Sequence, residues 1–72
     1  MKKRYNMIDL DCANCAAKME RNILKIKGVI SANVNFLTQK LTIEADDNNF
    51  ESIMDEVVKV CKAVEPDCEI VR

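Results

Sequence analysis

Residues 5–19 read Tyr5-Asn6-Met7-Ile8-Asp9-Leu10-Asp11-Cys12-Ala13-Asn14-Cys15-Ala16-Ala17-Lys18-Met19, and within them the hydrophobic period changes from two to three and four. Tyr5 to Leu10 is rich in strand formers, with Ile8 and Leu10 expected on one face and Met7 on the other. The strand is expected to stop at Asp11, and Cys12 to Asn14 to form a turn. From Cys15 onward Ala16, Met19, Ile23 and Ile26 recur at helical steps. Lys18, Glu20, Arg21, Asn22 and Lys25 fill the opposite, polar face. Gly28 follows as the expected C-terminal cap.

Working outward, Val29, Ala32, Val34 and Phe36 suggest a second strand, the last three alternating with Asn33 and Asn35. Leu37 to Lys40 supplies a turn, and Leu41 to Ala45 alternates as a third strand. Asp46-Asp47-Asn48-Asn49 offers helix-capping side chains. Phe50, Ile53, Met54, Val57, Val58, Cys61 and Val64 trace one face of a second helix. Pro66 stops it, and Cys68 to Val71 reads as a short last strand. The order β-α-β-β-α-β specifies an α+β fold, the ferredoxin-like sandwich, with two helices on one face of a four-stranded antiparallel sheet. Right-handed crossovers bring the first strand–helix loop and the last helix–strand loop to the same end. Cys12 and Cys15 should therefore lie near residues 62–67.

At 72 residues the chain is expected to form a single domain, 1–72, with 49% hydrophobic and 32% charged residues. A net charge of −1 gives no reason to expect a nucleic-acid partner. Residues 1–40 carry eight Lys/Arg against three Asp/Glu, and residues 41–72 carry three against nine. The simplest reading is one basic and one acidic solvated flank; the sharper one is a dipolar surface for a charged partner domain. Met1-Lys2-Lys3-Arg4 is not followed by the apolar segment of a signal peptide. No apolar run approaches the ~18 residues of a membrane span. A cytoplasmic setting without direct membrane insertion is expected, where thiols stay reduced and four Cys suggest metal binding or redox chemistry.

Cys12 and Cys15 are separated by two small residues and can chelate one soft ion or close as a disulfide. Cys15 is expected in the first helical turn, where free N–H groups and the helix dipole favour a thiolate. Two thiolates without His form a soft donor set for Zn(II), Cd(II), Pb(II) or Cu(I). Such a pair does not close a tetrahedral zinc site, which suits ion transfer better than structural retention. Asp11 bears on the choice of ion. Cu(I) gains little from a hard carboxylate, whereas a divalent ion wants more donors and more negative charge. The alternative role for Asp11 is a plain helix cap.

The run from Ile8 to Glu20 resembles the metal-binding motif of heavy-metal-associated domains. The resemblance continues through Ile23, Ile26, Gly28-Val29 and Val34-Asn35-Phe36. Such domains occur as copper chaperones, as mercury-binding proteins and as N-terminal modules of heavy-metal P-type ATPases. Asp-Cys-x-x-Cys in place of Thr-Cys-x-x-Cys is similar to the zinc/cadmium/lead-exporting ATPases. That branch implies ligation at Asp11, Cys12 and Cys15, and a transmembrane ATPase portion or a second metal-binding domain as partner. Asp9 stands where Gly is usual, and Leu10 replaces the common Met. Val64-Glu65-Pro66-Asp67 replaces the Lys or Tyr of copper-handling members, and its acidity argues mildly against Cu(I).

The same residues admit other readings. Cys61 and Cys68 are expected in the core, with completion of a three- or four-thiol site as their alternative role. A stand-alone Cu(I) or mercury chaperone is the runner-up function. A thiol–disulfide oxidoreductase would need a depressed pKa at the first Cys, which the adjacent Asp11 opposes. A structural four-Cys zinc domain would need metal in order to fold. With no His and one Gly, no catalytic constellation is available and no enzymatic activity is expected. A monomer is expected, with a metal-bridged dimer as the alternative.

Overall fold

The structure, a computed structural model, describes residues 1–72, with strands β1 (Lys2–Ile8), β2 (Val29–Asn35), β3 (Lys40–Ala45) and β4 (Glu69–Val71). Helices α1 (Ala13–Leu24) and α2 (Phe50–Val64) complete it. The strands form one antiparallel sheet in the order β2-β3-β1-β4. The expected β-α-β-β-α-β architecture is present. Its core joins Met7 and Leu10 with Ala16, Met19 and Ile23 of α1, the inward residues of β2 and β3, and Phe50, Ile53, Met54, Val57 and Cys61 of α2.

The expected pairing of Ile8 with Leu10 on one face of β1 does not hold. Met7 is buried, whereas Ile8 is 47% exposed, and Leu10 is buried three residues after Met7. A strand cannot turn positions three apart to one side, because its side chains alternate. The break is Asp9, whose φ of 61° lies in the left-handed region. This residue ends β1 at Ile8, two residues earlier than expected, and swings Leu10 back into the core. It also gives a physical reason for glycine at this position in the resembling sequences. Asp9→Gly should therefore stabilise the fold by ~0.5 kcal/mol, and Asp9→Val, with a branched Cβ at positive φ, should destabilise it by ~1–2 kcal/mol. Urea denaturation of the two variants checks the opposite signs.

Gly28 does not cap α1 directly. The helix ends at Leu24 with Lys25 as its cap, and the following turn is tied by Ile26 N–H to Ile23 O and Val29 N–H to Ile26 O. Gly28 closes this turn with φ 98°, and a Cβ there would lie 2.7 Å from Ile53 Cδ1. The odd step from Val29 to Ala32 is absorbed by a bulge, since Val29 pairs with Ala45 and Ser31 with Glu44. Ile30 is the extra residue and points to solvent.

The acidic–amide run before α2 forms a 3-10 turn, Asp47–Asn49, in which Asp46 Oδ1 accepts from Asn48 N–H at 3.0 Å. At the other end of α2, Pro66 excludes helical backbone at Glu65, which adopts φ −139°, ψ 97°. The turn closes with Cys68 N–H donating to Glu65 O at 3.0 Å. On the acidic flank, Arg72 binds Asp55 at 2.9 Å and Glu51 at 3.0 Å, so part of that charge is paired within the chain. No helix is long and apolar enough to cross a membrane.

Candidate metal site

Three segments meet beyond the end of β1: residues 9–14 leading into α1, the β2–β3 turn at 36–39, and the α2–β4 turn at 65–68. Cys12 is the N-cap of α1, in extended backbone at φ −128°, ψ 124°. Its carbonyl accepts from Ala16 N–H at 3.0 Å, and its Sγ accepts from Cys15 N–H at 3.3 Å. The cap is therefore a sulfur where Ser, Thr, Asp or Asn is the usual choice. Asp11, the alternative cap, is not the N-cap and lies exposed.

Cys15 stands in the first turn, as expected, but the two thiols divide their roles in the reverse of the expected way. Cys12 has the lowered pKa, held down first by the Cys15 N–H and then by the Cys15 thiol donating to it. Cys15 is pushed up, first because it keeps its proton for that hydrogen bond, then by burial and by the charges of Cys12 and Glu65. Helix-terminal stabilisation thus reaches the capping sulfur, one turn before the residue at which a dipole argument places it. Asp11 does not overcome it.

Glu65 is the residue that sequence reasoning missed. Its Oε2 accepts from the Cys15 thiol at 3.9 Å, joining the ends of α1 and α2 as the crossover rule requires. The acidity of residues 64–67 was visible in the sequence; which carboxylate turns toward the thiols was not. Glu65 is the residue before Pro66, held in extended backbone.

Cys61 and Cys68 are both 1% exposed and belong to the core cluster. Burial, then the neighbouring Cys68, pushes the Cys61 thiol up to about 12. Cys68 is raised by burial first and then by Glu65. Neither forms a three-donor group with Cys12 and Cys15, and neither Asp11 nor Glu65 is gathered with the two thiols into such a group. All four cysteines are free. What the structure brings together is the Cys12–Cys15 pair with the Glu65 carboxylate beside it.

The neighbouring turn grips this loop. Gln39 Oε1 accepts from Leu10 N–H at 3.0 Å, and Gln39 Nε2 donates to Leu10 O and, at 2.6 Å, to Phe36 O. Sequence reading placed Gln39 in a turn and gave no signal for this role.

The heavy-metal-associated domain model matches residues 4–66. The cadmium, zinc and cobalt-transporting ATPase of Bacillus subtilis (strain 168) is 36% identical over 66 residues, 92% of this chain and 9% of that protein. A probable cadmium-transporting ATPase of Listeria monocytogenes is 48% identical over 42 residues, 58% of this chain and 6% of that protein. The chain spans less than a tenth of the length of these relatives. Among solved structures, the CopZ metallochaperone superposes with a TM-score of 0.77 at 20% identity, covering 99% of this chain and 100% of that one. A copper binding domain from HMA7, a P-type ATPase, gives 0.75 at 20% identity, covering 99% and 93%. At that identity these two likenesses speak to fold alone. With the family model covering most of the sequence, and a curated relative above 30% identity over nearly all of it, the chain belongs to the heavy-metal-associated domain family.

Proposed function

We propose that residues 1–72 form one module that binds a soft divalent ion, Zn(II), Cd(II) or Pb(II), as cargo and passes it on by ligand exchange. The observation that carries this reading is the Glu65 carboxylate 3.9 Å from the Cys15 sulfur. Two thiolates suffice for Cu(I), whereas a divalent ion gains from an additional hard, anionic donor. Cys12, whose pKa is lowered while that of Cys15 is raised, is the entry ligand. Cys15 gives up its proton as the ion arrives and completes the chelate. Glu65 is the donor already beside the pair, and exposed Asp11, next to Cys12, is the donor that loop closure would add. Release reverses the order, with an incoming thiolate or carboxylate binding the ion before either sulfur leaves.

In this reading the module is the cytosolic N-terminal domain of a heavy-metal efflux ATPase and feeds or regulates the pump. The relatives named as cadmium-transporting ATPases support it. The lowered pKa at Cys12 is equally what thiol–disulfide exchange needs, so the sequence argument against that reading no longer rests on pKa. What favours cargo binding is Glu65. The negative charge of a carboxylate beside the second thiol disfavours its thiolate when metal is absent, and offsets the charge of a bound cation.

Competitive titration with Zn(II), Cd(II), Pb(II) and Cu(I) tests the proposal. Glu65→Gln should weaken Cd(II) and Zn(II) binding by about tenfold, the loss expected when a supporting or peripheral donor is removed, and leave Cu(I) nearly unchanged. Asp11→Ala should show the same ordering of ions. Equal losses for all four ions in both variants would remove the carboxylates from the ligand set. Tighter Cu(I) selectivity in the unaltered chain than any divalent preference would point to copper cargo instead.

A further inference from the structure

We infer that Gln39 is a positioning residue for the Cys12–Cys15 loop, acting through both polar groups of Leu10. The inference rests on the reading that these two thiols bind the ion. Leu10 belongs to neither β1 nor α1, so its N–H and C=O have no partner in the regular hydrogen-bond ladders. One side-chain amide serves both of them, accepting from the N–H and donating to the C=O. The same amide donates to Phe36 O, which holds the Gln39 side chain against its own turn. Leu10 is therefore gripped two residues before Cys12, with its side chain in the core and its backbone on Gln39.

Backbone strain marks the same junction. Only two residues other than glycine have positive φ in this chain, Asp9 at 61° and Gln39 at 56°. One immediately precedes the gripped residue and the other does the gripping. Left-handed backbone at residues other than glycine persists where the surroundings over-determine it, and it concentrates at functional sites. Main-chain pairing also continues up to the grip, since Met7 N–H donates to Gln39 O at 2.7 Å. The sheet thus hands over from a backbone rung at Met7 to a side-chain rung at Leu10. Across the irregular step at Asp9, that rung is what ties the sheet to the start of the metal loop.

Such a grip sets the direction from which Cys12 approaches the helix end, and so the spacing at which the two sulfurs can share an ion. A residue that orients a ligand-bearing loop behaves as an outer-shell partner, and its loss lowers metal affinity by about 10–100-fold.

The test compares the full chain with Gln39→Met, which keeps length and bulk but removes both hydrogen bonds to Leu10 and the one to Phe36 O, and with Ile53→Val, a core truncation beside Gly28 at the opposite end. Cd(II) affinity is measured by chelator competition well below the melting temperature of each protein. Amide hydrogen exchange at Leu10 and Cys15 is measured without metal. Gln39→Met should bind Cd(II) about tenfold more weakly and lose protection at both amides, while Ile53→Val keeps both properties. Unchanged Cd(II) affinity and Cys15 protection in Gln39→Met would overturn the positioning role, as would an equal affinity loss in Ile53→Val. If the unaltered chain fails to bind Cd(II) while Gln39→Met still exposes the Cys15 amide, the metal-binding reading fails and the grip on the loop stands as geometry alone.

Discussion

Cys12→Ser should fold as well as the unaltered chain and lose Cd(II) affinity by at least about 100-fold. The exceptional feature of Cys12 is that it does two jobs separable by chemistry. As N-cap it accepts the Cys15 N–H through sulfur at 3.3 Å. A serine oxygen is a stronger acceptor and a preferred cap, so the metal-free variant should match or exceed the parent in stability. As donor to a soft ion, however, a hydroxyl is a poor replacement for a thiolate. Removing a direct donor should exceed the 10–100-fold loss typical of outer-shell partners. Cys12→Ala separates the jobs in another way, because it loses the cap as well, at ~1 kcal/mol.

Urea denaturation and Cd(II)–thiolate absorbance measure both effects on the same samples. Saturating Cd(II) should stabilise the parent, by about 2.7 kcal/mol at 100 times its Kd, and Cys12→Ser by no more than about 0.4 kcal/mol at the same concentration. Retention of Cd(II) affinity within tenfold would mean that the sulfur of Cys12 serves the helix and not the ion.

The contrast between these two jobs bears on what the sequence could reveal. Period and spacing predicted the order of elements, because alternation in β3 and the helical recurrence of Met19, Ile23, Ile53, Met54, Val57 and Cys61 are direct images of burial. The meeting of the two loops followed from chain handedness, and the Cys15–Glu65 contact realises it. Single-residue backbone exceptions were not legible. Asp9 at positive φ parted Leu10 from Ile8 and turned it to the side of Met7, and a bulge at Ile30 took Val29 out of step with Ala32. Each is decided by tertiary constraint, since Asp and Ile do not themselves demand those conformations.

At the site, residue type identified the thiols. The division of charge between them depended on which sulfur faces the Cys15 N–H, and that is a matter of one rotamer and one cap. Gln39 was silent for a similar reason. A glutamine in a turn is ordinary until the backbone groups it serves are known. The acidic neighbours show the limit most clearly: Asp11 was the carboxylate expected at the thiols from its place in the sequence, and the structure sets Glu65 beside Cys15.

Leu10→Ala should show how strongly the core and the site depend on each other. Leu10 is 1% exposed, and truncating a leucine so buried costs about 2–5 kcal/mol. A chain of 72 residues has a total stability on the order of 4–11 kcal/mol, so the variant should lie close to the edge of folding. Met54→Ala should suffer a similar loss, because Met54 is equally buried on α2. The two should part company in the presence of metal. Cd(II) binds only the folded chain in this scheme, so a free concentration 1,000 times Kd returns about 4.1 kcal/mol to any variant whose folded-state affinity is intact. Met54→Ala should recover by that full amount. Leu10→Ala should recover less, because loss of its side chain loosens the segment two residues before Cys12 as well as the core. A tenfold weaker folded-state affinity at the same Cd(II) concentration lowers the gain by about 1.4 kcal/mol, which denaturation curves with and without Cd(II) resolve. Equal recovery in both variants would show that the metal loop is held by its local hydrogen bonds alone, and that the Leu10 side chain matters only to the core.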